Sequence, residues 1–337
     1  MNRLRPIALG LALSLACAPA AQALNIEFNY EYDLSGFFAA GTLERTALEE
    51  AGAWYETNLT DSLTAIGDGP GLNDSYTAKF SNPSKFDPVT GQLESLQIDN
   101  FSIAADTVRI YVGAVGLEAG TGLNTNTLGV GAPGTPDPDG SLDYQNAMVS
   151  RGQGAGGKSL DIYGSMANDF ALWGGYLSID NTGRNWHSDP YTLPTGGQPD
   201  LFSVLLHELG HVFGIGTSFS WFNQLNTAQT RFLGPDSVAS YGDDVPMQSG
   251  GAHWANGTTS LTLDFIANGV EAGLLKETAF DPSLLLGSRK VLTELDVAGL
   301  RDVGWTIPVT AVPLPPAGWL CGIALVWVVR ARRNVAA

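Results

Sequence analysis

The sequence contains few cysteines, few histidines and few basic residues, and each shortage limits what the protein can be. Its 337 residues include two cysteines, four histidines, and 17 lysines and arginines against 34 aspartates and glutamates. Cys17 and Cys321 lie near opposite ends of the chain, so residues 24–307 contain no cysteine. This central region therefore has no disulfide and depends on its hydrophobic core, which is feasible at this length.

The shortage of basic residues is greatest in the central region. Residues 24–307 contain 12 lysines and arginines and all 34 acidic residues, which gives a net charge of −22. Such a surface repels nucleic acids and anionic lipids, so we expect no nucleic-acid partner. The simpler interpretation of the acidic residues is solubility outside the cell. Calcium binding by some of them is a second interpretation.

Long hydrophobic runs are confined to the two ends of the chain. Residues 1–23 have a basic start, an apolar run and a small-residue end, a pattern that predicts a secretory signal peptide cleaved after Ala23. Residues 308–316 form a proline-rich linker, and residues 317–333 combine an apolar run with a basic cluster. The apolar run has 13 residues, whereas a stable membrane-spanning helix needs about 20. The sequence therefore predicts that the domain at 24–307 is exported from the cytoplasm.

The C-terminal segment, from about residue 312, contains a V-P-x-P turn, a short apolar run and the basic "RARR". This order resembles the PEP-CTERM sorting signal of Gram-negative bacteria that make extracellular polysaccharide. The resemblance implies a location in the periplasm, at the cell surface or in the extracellular matrix. It also implies transient contact with the inner membrane and cleavage by an exosortase-type sorting enzyme. A plain C-terminal membrane anchor is the alternative interpretation.

Hydrophobic periodicity in the central region predicts an α+β domain. A period of 3.6 residues predicts an amphipathic helix after Thr42, a residue suited to cap it. The Gly-, Pro-, Asn- and Asp-rich stretch at 119–158 predicts a long loop, in which residues 137–140 are typical of a plain turn rather than a calcium loop. A short helix is expected at 161–173. Strands are predicted at 24–33, 93–103, 106–117 and 174–180.

The most specific motif is "HELGH" at residues 207–211. Asp200 is a suitable N-cap for a helix that Gly214 and Gly216 would end. In such a helix His207 and His211 lie on one face, where two imidazoles can bind one tetrahedral zinc ion at about 2.0–2.1 Å. Glu208 lies beside that face, where it can act as general base on a zinc-bound water without binding the metal.

Chance alone rarely places two histidines and a glutamate in this pattern. In a chain with four histidines, the pattern is expected on the order of 10⁻³ times per sequence. The alternative interpretation is a pair of surface histidines beside an incidental acid. The capped amphipathic helix that carries the motif favours the zinc interpretation, because it is the structural context that the chemistry requires.

The segment "HELGHVFGIG" resembles the metzincin clan of zinc endopeptidases, whose motif is H-E-x-x-H-x-x-G-x-x-H/D. His207, Glu208, His211 and Gly214 match that motif. The resemblance implies an α+β zincin-like fold with a mixed twisted sheet, an active-site helix and a C-terminal helical subdomain. It also implies hydrolysis of a protein or peptide substrate.

The resemblance extends to two further segments. "GGYLSID" at 174–180 resembles the edge strand against which an extended substrate pairs in metzincins. Residues 292–305 resemble the C-terminal helix of matrixins, in which Asp296 and Asp302 would tie the helix to the domain through hydrogen bonds. Trp254 and Trp305 are expected to be packing residues rather than substrate contacts.

Two positions depart from the metzincin pattern. Thr217 occupies the position of the third metal ligand. No methionine occurs in the nearest context for the Met-turn of the clan, "ETAFDPS", which has Phe280 instead. A neutral hydroxyl is a weak zinc donor, so the third ligand must come from elsewhere, because a catalytic zinc ion needs three protein ligands and an open position.

Two histidines remain as candidates for the third ligand. His187 lies in the loop before the helix, and His253 lies 42 residues after His211 in a glycine-rich segment. The His253–Trp254 pair resembles leishmanolysin-type metzincins, in which a long insertion precedes a third histidine. This resemblance implies that His253 is the third ligand and that residues 217–251 are the insertion. His187 and an acidic residue such as Asp243 or Asp244 are the alternatives.

The sequence thus predicts a secreted or surface-associated zinc endopeptidase. Its predicted ligands are His207, His211 and His253, and its predicted general base is Glu208. The main alternative is a non-catalytic surface or matrix protein with the same fold and a structural zinc ion. A zinc hydrolase acting on non-peptide amides is a third interpretation. Glu208 argues against the non-catalytic protein, because a structural zinc site needs no base.

Overall fold

The computed structural model describes residues 24–71, 73–120, 126–151 and 172–308. The predicted signal peptide, the segment at 317–333, and nearly all of the linker and of the predicted helix at 161–173 lie outside these residues. The chain divides into a unit that ends at Thr306 and a second that begins at Ile307. No helix in the described part is long and apolar enough to cross a bilayer.

The described residues form six α-helices, eleven short or medium strands and two turns of 3₁₀ helix, and this confirms the predicted α+β class. The helices are α1 (Leu43–Asn58), α2 (Leu142–Ser150), α3 (Leu201–Val212), α4 (Phe219–Phe222), α5 (Pro235–Tyr241) and α6 (Glu294–Asp302). The strands are β1 (Asn25–Asn29), β2 (Ser75–Phe86), β3 (Leu93–Ile98), β4 (Thr107–Val115), β5 (Gly129–Pro133), β6 (Thr135–Asp139), β7 (Gly174–Asp180), β8 (Arg231–Phe232), β9 (Val245–Pro246), β10 (Thr259–Leu261) and β11 (Leu275–Glu277). The 3₁₀ turns are Leu117–Ala119 and Ile266–Asn268.

The main sheet has four strands in the order β1-β4-β7-β5. β1 and β7 run parallel to β4, and β5 runs antiparallel to β7, so the sheet is mixed, as predicted. Nearly every residue of β4 and β7 is buried, which is typical of strands covered on both faces. The prediction that 174–180 is the edge strand is wrong, because β5 pairs with its outer side and forms the edge.

The prediction of a long loop at 119–158 is also wrong between residues 129 and 150. This part contains β5 and β6, whose glycines and prolines obscured their periodicity, and it also contains α2. β6 tolerates Pro136 and Pro138 because it is an edge strand of a second sheet, β3-β2-β6, where missing N–H donors can face away from the ladder. Asp137, expected in a turn, lies in β6 and forms an ion pair with Lys79 at 2.7 Å.

An aromatic core joins the second sheet to β4. The rings of Phe80 and Tyr111 stack at a centroid distance of 4.2 Å, and Trp173 meets both Phe80 and Phe101 edge to face. Such offset and edge contacts stabilise aromatic pairs beyond the burial of their area. This core packs β4 and β7 against the second sheet, while α3 contacts β7 and β5.

α1 packs against α3 on the other side of the main sheet. Thr42 caps α1 by accepting a hydrogen bond from Arg45 N, as predicted. Tyr55 stacks on Phe213 at 4.8 Å and donates its hydroxyl hydrogen bond to the Leu206 carbonyl at 2.7 Å. α1 thereby fixes α3 along its length, and a rigid helix is what a precise side-chain site requires.

The C-terminal part of the unit is only partly helical. α4, α5 and α6 are short, and two small antiparallel sheets, β8-β9 and β10-β11, lie among them. The expected C-terminal helix is present as α6, with a capping box between Thr293 and Asp296. The expected C-terminal helical subdomain is therefore present only in part, because short strands pair between its helices.

Candidate metal centre

The helix α3 is anchored firmly at its first turn. Asp200 accepts a hydrogen bond from Ser203 N at 3.1 Å, which confirms it as the N-cap. Its carboxylate also forms a buried bidentate pair with Arg289, at 2.7 and 2.9 Å. The helix ends before Gly214 and Gly216, whose φ angles of 103° and 69° favour glycine.

Three histidines converge at the middle of this helix. His207 and His211 of α3 bring their Nε2 atoms within 3.0 Å of each other. His253 Nε2 lies 3.2 Å from His207 Nε2 and 3.0 Å from His211 Nε2. Three nitrogen ligands of one tetrahedral zinc ion, each at about 2.0–2.1 Å, are separated by about 3.3 Å, so the donor set fits such an ion. Among the described residues, this is the only cluster of His, Cys, Asp or Glu side chains placed to hold a metal.

The opposite ring nitrogens of the two helical histidines contact backbone carbonyls. His207 Nδ1 lies 2.7 Å from the Ala279 oxygen, and His211 Nδ1 lies 2.7 Å from the Ile215 oxygen. A carbonyl oxygen only accepts, so each Nδ1 carries the proton and each Nε2 presents a lone pair to the cluster. This second-layer bonding is typical of histidines that bind metal.

Burial keeps the three imidazoles neutral. Desolvation lowers the pKa of His207 well below 6.5, lowers that of His211 to about 3, and lowers that of His253 as well. The neighbouring histidines add to the lowering for His207 and His211. Three lone pairs that face one another at this distance repel unless a cation lies between them, so the cluster favours cation binding.

Glu208 lies beside the histidines and is 6% exposed. Burial raises the pKa of its carboxyl group to about 8, and a hydrogen bond from Gly131 N opposes the rise. β5 can approach this closely because Gly129 and Gly131 have no side chains. A Cβ atom at Gly129 would lie 2.8 Å from Glu208 Oε1, and one at Gly131 would lie 2.3 Å from the Glu208 carbonyl oxygen.

His253 reaches the cluster because the chain returns to the end of α3. A Cβ atom at Gly216 would lie 2.0 Å from the Ala252 oxygen. The start and the end of the segment 217–252 are therefore in contact just after α3. Trp221 Nε1 donates to the Gly251 oxygen at 2.7 Å, and the Trp221 ring packs on Trp254. The segment therefore carries its own aromatic anchor for the third histidine.

The other candidate ligands lie away from the cluster. Thr217 Oγ1 donates to the His211 carbonyl at 2.6 Å, so its hydroxyl serves the helix end. His187 Nε2 contacts the Thr192 carbonyl at 2.8 Å. Asp243 and Asp244 are exposed, and neither belongs to the cluster. The structure thus brings together His207, Glu208, His211 and His253 and leaves the alternatives outside.

The sequence analysis marked residues 277–283 only as the nearest context for a Met-turn and did not predict the backbone contacts of the segment 279–281. Ala279 O fixes His207, and the Phe280 oxygen accepts a hydrogen bond from Trp254 N, next to His253, at 3.1 Å. Asp296 lies beneath this segment and accepts from Ala279 N at 2.9 Å and from Trp254 Nε1 at 3.1 Å. The expected structural role of Asp296 is therefore observed, and so is that of Asp302, which accepts from two backbone N–H groups of α5.

The histidines open into a cleft of about 820 Å³. Its walls come from residues 126–131, from α3 and from residues 279–286. Its two basic side chains are paired, Arg184 with Asp180 and Lys290 with Asp281 at 3.1 Å. Such a cleft, with neutral walls and Glu208 beside the histidines, can admit an extended uncharged backbone.

Comparison with protein-family models, with curated proteins and with solved structures gives no match to this chain. Its function therefore has to follow from the chemistry of the site.

Proposed function

We propose that this chain is a zinc-dependent endopeptidase of the metzincin type. One observation carries the proposal: three imidazole Nε2 atoms within 3.2 Å of one another lie in an open cleft with a buried carboxyl group beside them. A structural zinc site is normally closed by a fourth protein ligand, whereas a catalytic site leaves that position open. Among the described residues, the cluster supplies three ligands.

The residues of the chain have separate tasks in this reaction. His207, His211 and His253 would hold the ion, and zinc supplies, when bound, the Lewis acidity that activates water and polarises a carbonyl group. Glu208 takes a proton from the attacking water and then delivers it to the leaving amine. Its elevated pKa suits this exchange, because a group that titrates near neutral pH can both accept and release the proton.

The fold supports the metzincin assignment at the level of topology. The motif helix α3 lies against a mixed sheet whose antiparallel edge strand, β5, passes directly over Glu208. An exposed strand edge beside a cleft suits a substrate that binds in extended form through its main chain. A protein or peptide with an accessible extended segment is therefore the proposed substrate.

The proposed site of action is outside the cytoplasm. Residues 1–23 have the pattern of a signal peptide, and residues 317–333 have that of a PEP-CTERM sorting segment. An exosortase-type enzyme would then process the tail after transient contact with the inner membrane. The absence of cysteine from 24–307 is compatible with any redox environment.

The test combines metal content with proteolysis by the purified 24–307 fragment. We expect about one zinc ion per chain, casein digestion that stops on chelation, and recovery when zinc is returned. Glu208→Gln should keep the zinc and lose activity by about 10²–10⁴-fold, because it removes the proton acceptor without touching a ligand.

Glu31→Gln is the matched control, since Glu31 is exposed and lies outside the cleft. Wild-type digestion by Glu208→Gln would show that Glu208 is not the base. Zinc binding without any digestion by the wild type would favour a non-catalytic protein with a structural ion.

A further inference from the structure

The Phe280 ring packs directly against two of the three histidines. It stacks on His207 at a centroid distance of 5.2 Å and an interplanar angle of 28°. It meets His211 edge to face at 5.7 Å and 70°. The Phe280 side chain is fully buried, so the ring forms a closely packed surface against both imidazoles. An aromatic face in contact with a ring restricts the tilt of that ring.

Gly210 lies between the two helical histidines, and its lack of a side chain leaves room for the Phe280 ring. A Cβ atom at Gly210 would lie 1.8 Å from Phe280 Cζ and 2.5 Å from Cε1. Glycine inside a helix is destabilising relative to alanine, so its presence in the middle of α3 needs a compensating reason. The ring supplies that reason, because it occupies the space that any side chain at this position would require.

The backbone of Phe280 reaches the third histidine. Its carbonyl oxygen accepts from Trp254 N at 3.1 Å, and its N–H donates to Asp296 Oδ1 at 3.3 Å. The preceding residue, Ala279, fixes the tautomer of His207. A single residue thus contacts two ligands through its ring and holds the neighbour of the third through its main chain.

We propose that Phe280 is the positioning residue of the metal centre and that Gly210 is its steric partner. The ring sets the orientation of the His207 and His211 imidazoles. The close fit of the ring against the backbone at Gly210 sets the distance of both imidazoles from the Phe280 segment. The proposal rests on the proposed metal site and extends it. It concerns the geometry and affinity of that site rather than the chemical step.

The first test compares Phe280→Leu with Phe202→Leu. Phe202 is a buried residue of the same helix, and its ring contacts are with Phe265 and Arg289. Zinc affinity is measured by chelator competition, and ligand geometry by the visible absorption spectrum of the cobalt(II)-loaded protein. We expect Phe280→Leu to weaken zinc binding by about 10–100-fold and to shift the cobalt spectrum. Phe202→Leu should leave the spectrum unchanged even where it lowers the melting temperature.

The second test examines the steric pairing. Gly210→Ala should weaken zinc binding by about tenfold in the wild-type background, because the new methyl group displaces the ring. In a Phe280→Ala background the same substitution should change affinity by less than about twofold, because the space is then empty. Circular dichroism of each metal-free variant shows whether the helix has formed.

The outcomes separate this inference from the proposed function. A wild type that binds no metal would overturn the proposed function and this inference together. A wild type that binds zinc, with a Phe280→Leu variant of unchanged affinity and spectrum, would overturn only the positioning role. Equal losses in Phe280→Leu and Phe202→Leu would do the same, because they would indicate general loosening of the core. Equal effects of Gly210→Ala in both backgrounds would overturn the steric pairing.

Discussion

Each histidine of the cluster is held by a different part of the chain. His211 bonds to a carbonyl four residues further on, His207 to a carbonyl 72 residues away, and His253 arrives on a separate segment. The first contact is local and follows from the way the helix ends. The other two exist only once the C-terminal part of the unit has folded onto α3. The site therefore depends on long-range packing more than the compact motif indicates.

At this scale the third ligand can be tested directly. His253→Ala should lose zinc on dialysis against a weak chelator, because two imidazoles alone leave the ion with half of its ligands from solvent. His187→Ala should retain zinc as the wild type does, since its ring bonds to Thr192 and lies outside the cluster. The measurement is the zinc content per chain of each variant after dialysis. The opposite pattern, with zinc lost only from His187→Ala, would make His187 the ligand.

The residues of the site differ in how far the sequence predicts them. The spacing of His207, Glu208 and His211 is sufficient to predict that the two histidines share a site, because a helix places residues i and i+4 on one face. His253 follows from the small number of histidines together with the resemblance to leishmanolysin-type enzymes. Ala279 gives no signal, because its part is played by a backbone oxygen that every residue has.

At the scale of elements, the close contact between β5 and α3 shapes the surroundings of Glu208. Gly129 and Gly131 alternate along β5 and face the helix, so the strand presents backbone rather than side chains to the carboxyl group. This explains why the strand is hard to recognise, since glycine contributes nothing to a hydrophobic pattern. Strands β4 and β7, which bury branched and aromatic side chains, are predicted correctly for the opposite reason.

Gly129→Ala tests this contact. The new methyl carbon would lie 2.8 Å from Glu208 Cγ and Oε1, so the carboxyl group must move away from its position beside the histidines. We expect kcat to fall by about tenfold to a hundredfold while zinc content stays the same, because a displacement of about 1 Å is costly in catalysis. Gly196→Ala is the control, since a Cβ atom there meets nothing within 4 Å. Unchanged kcat in Gly129→Ala would mean that the position of Glu208 is not set by β5.

At the scale of the whole molecule, the site makes the stability of the metal-free protein depend on pH in two directions. The histidines have folded pKa values below the unfolded value of about 6.5, so below that pH the unfolded chain binds more protons. Glu208 has a folded pKa of about 8, above its unfolded value, so between about 4.5 and 8 the folded protein binds more protons. Of these four groups, the three histidines outweigh the glutamate below about pH 6.5, and Glu208 dominates between pH 6.5 and 8.

We therefore expect the free energy of unfolding of the metal-free protein to be highest near pH 6.5. It should fall in acid as the histidines of the unfolded chain take up protons. It should also fall between pH 6.5 and 8, by up to about 1.4 kcal/mol per pH unit, as Glu208 is forced to ionise in its buried place. Urea denaturation in excess chelator, repeated across this pH range, measures the free energy of unfolding on the acid limb below pH 6.5 and on the alkaline limb above it. Glu208→Gln should flatten the alkaline limb and keep the acid one, and an unaltered alkaline limb would contradict the assignment.

The separation of His211 and His253 has a consequence for the chain between them. Because Gly216 and Ala252 touch, an ion held by both histidines would close a loop of 42 residues, much as a covalent cross-link does. Unlike such a cross-link, the ion is released when the chain unfolds, so it would stabilise the closed segment by mass action, by about 2.7 kcal/mol at a free concentration of about 100 times its dissociation constant. Molecules without the ion would open this segment more often and expose it to cleavage. With the proposed peptidase activity, zinc-loaded molecules would cleave metal-free copies first, so the population would remain enriched in zinc-loaded molecules.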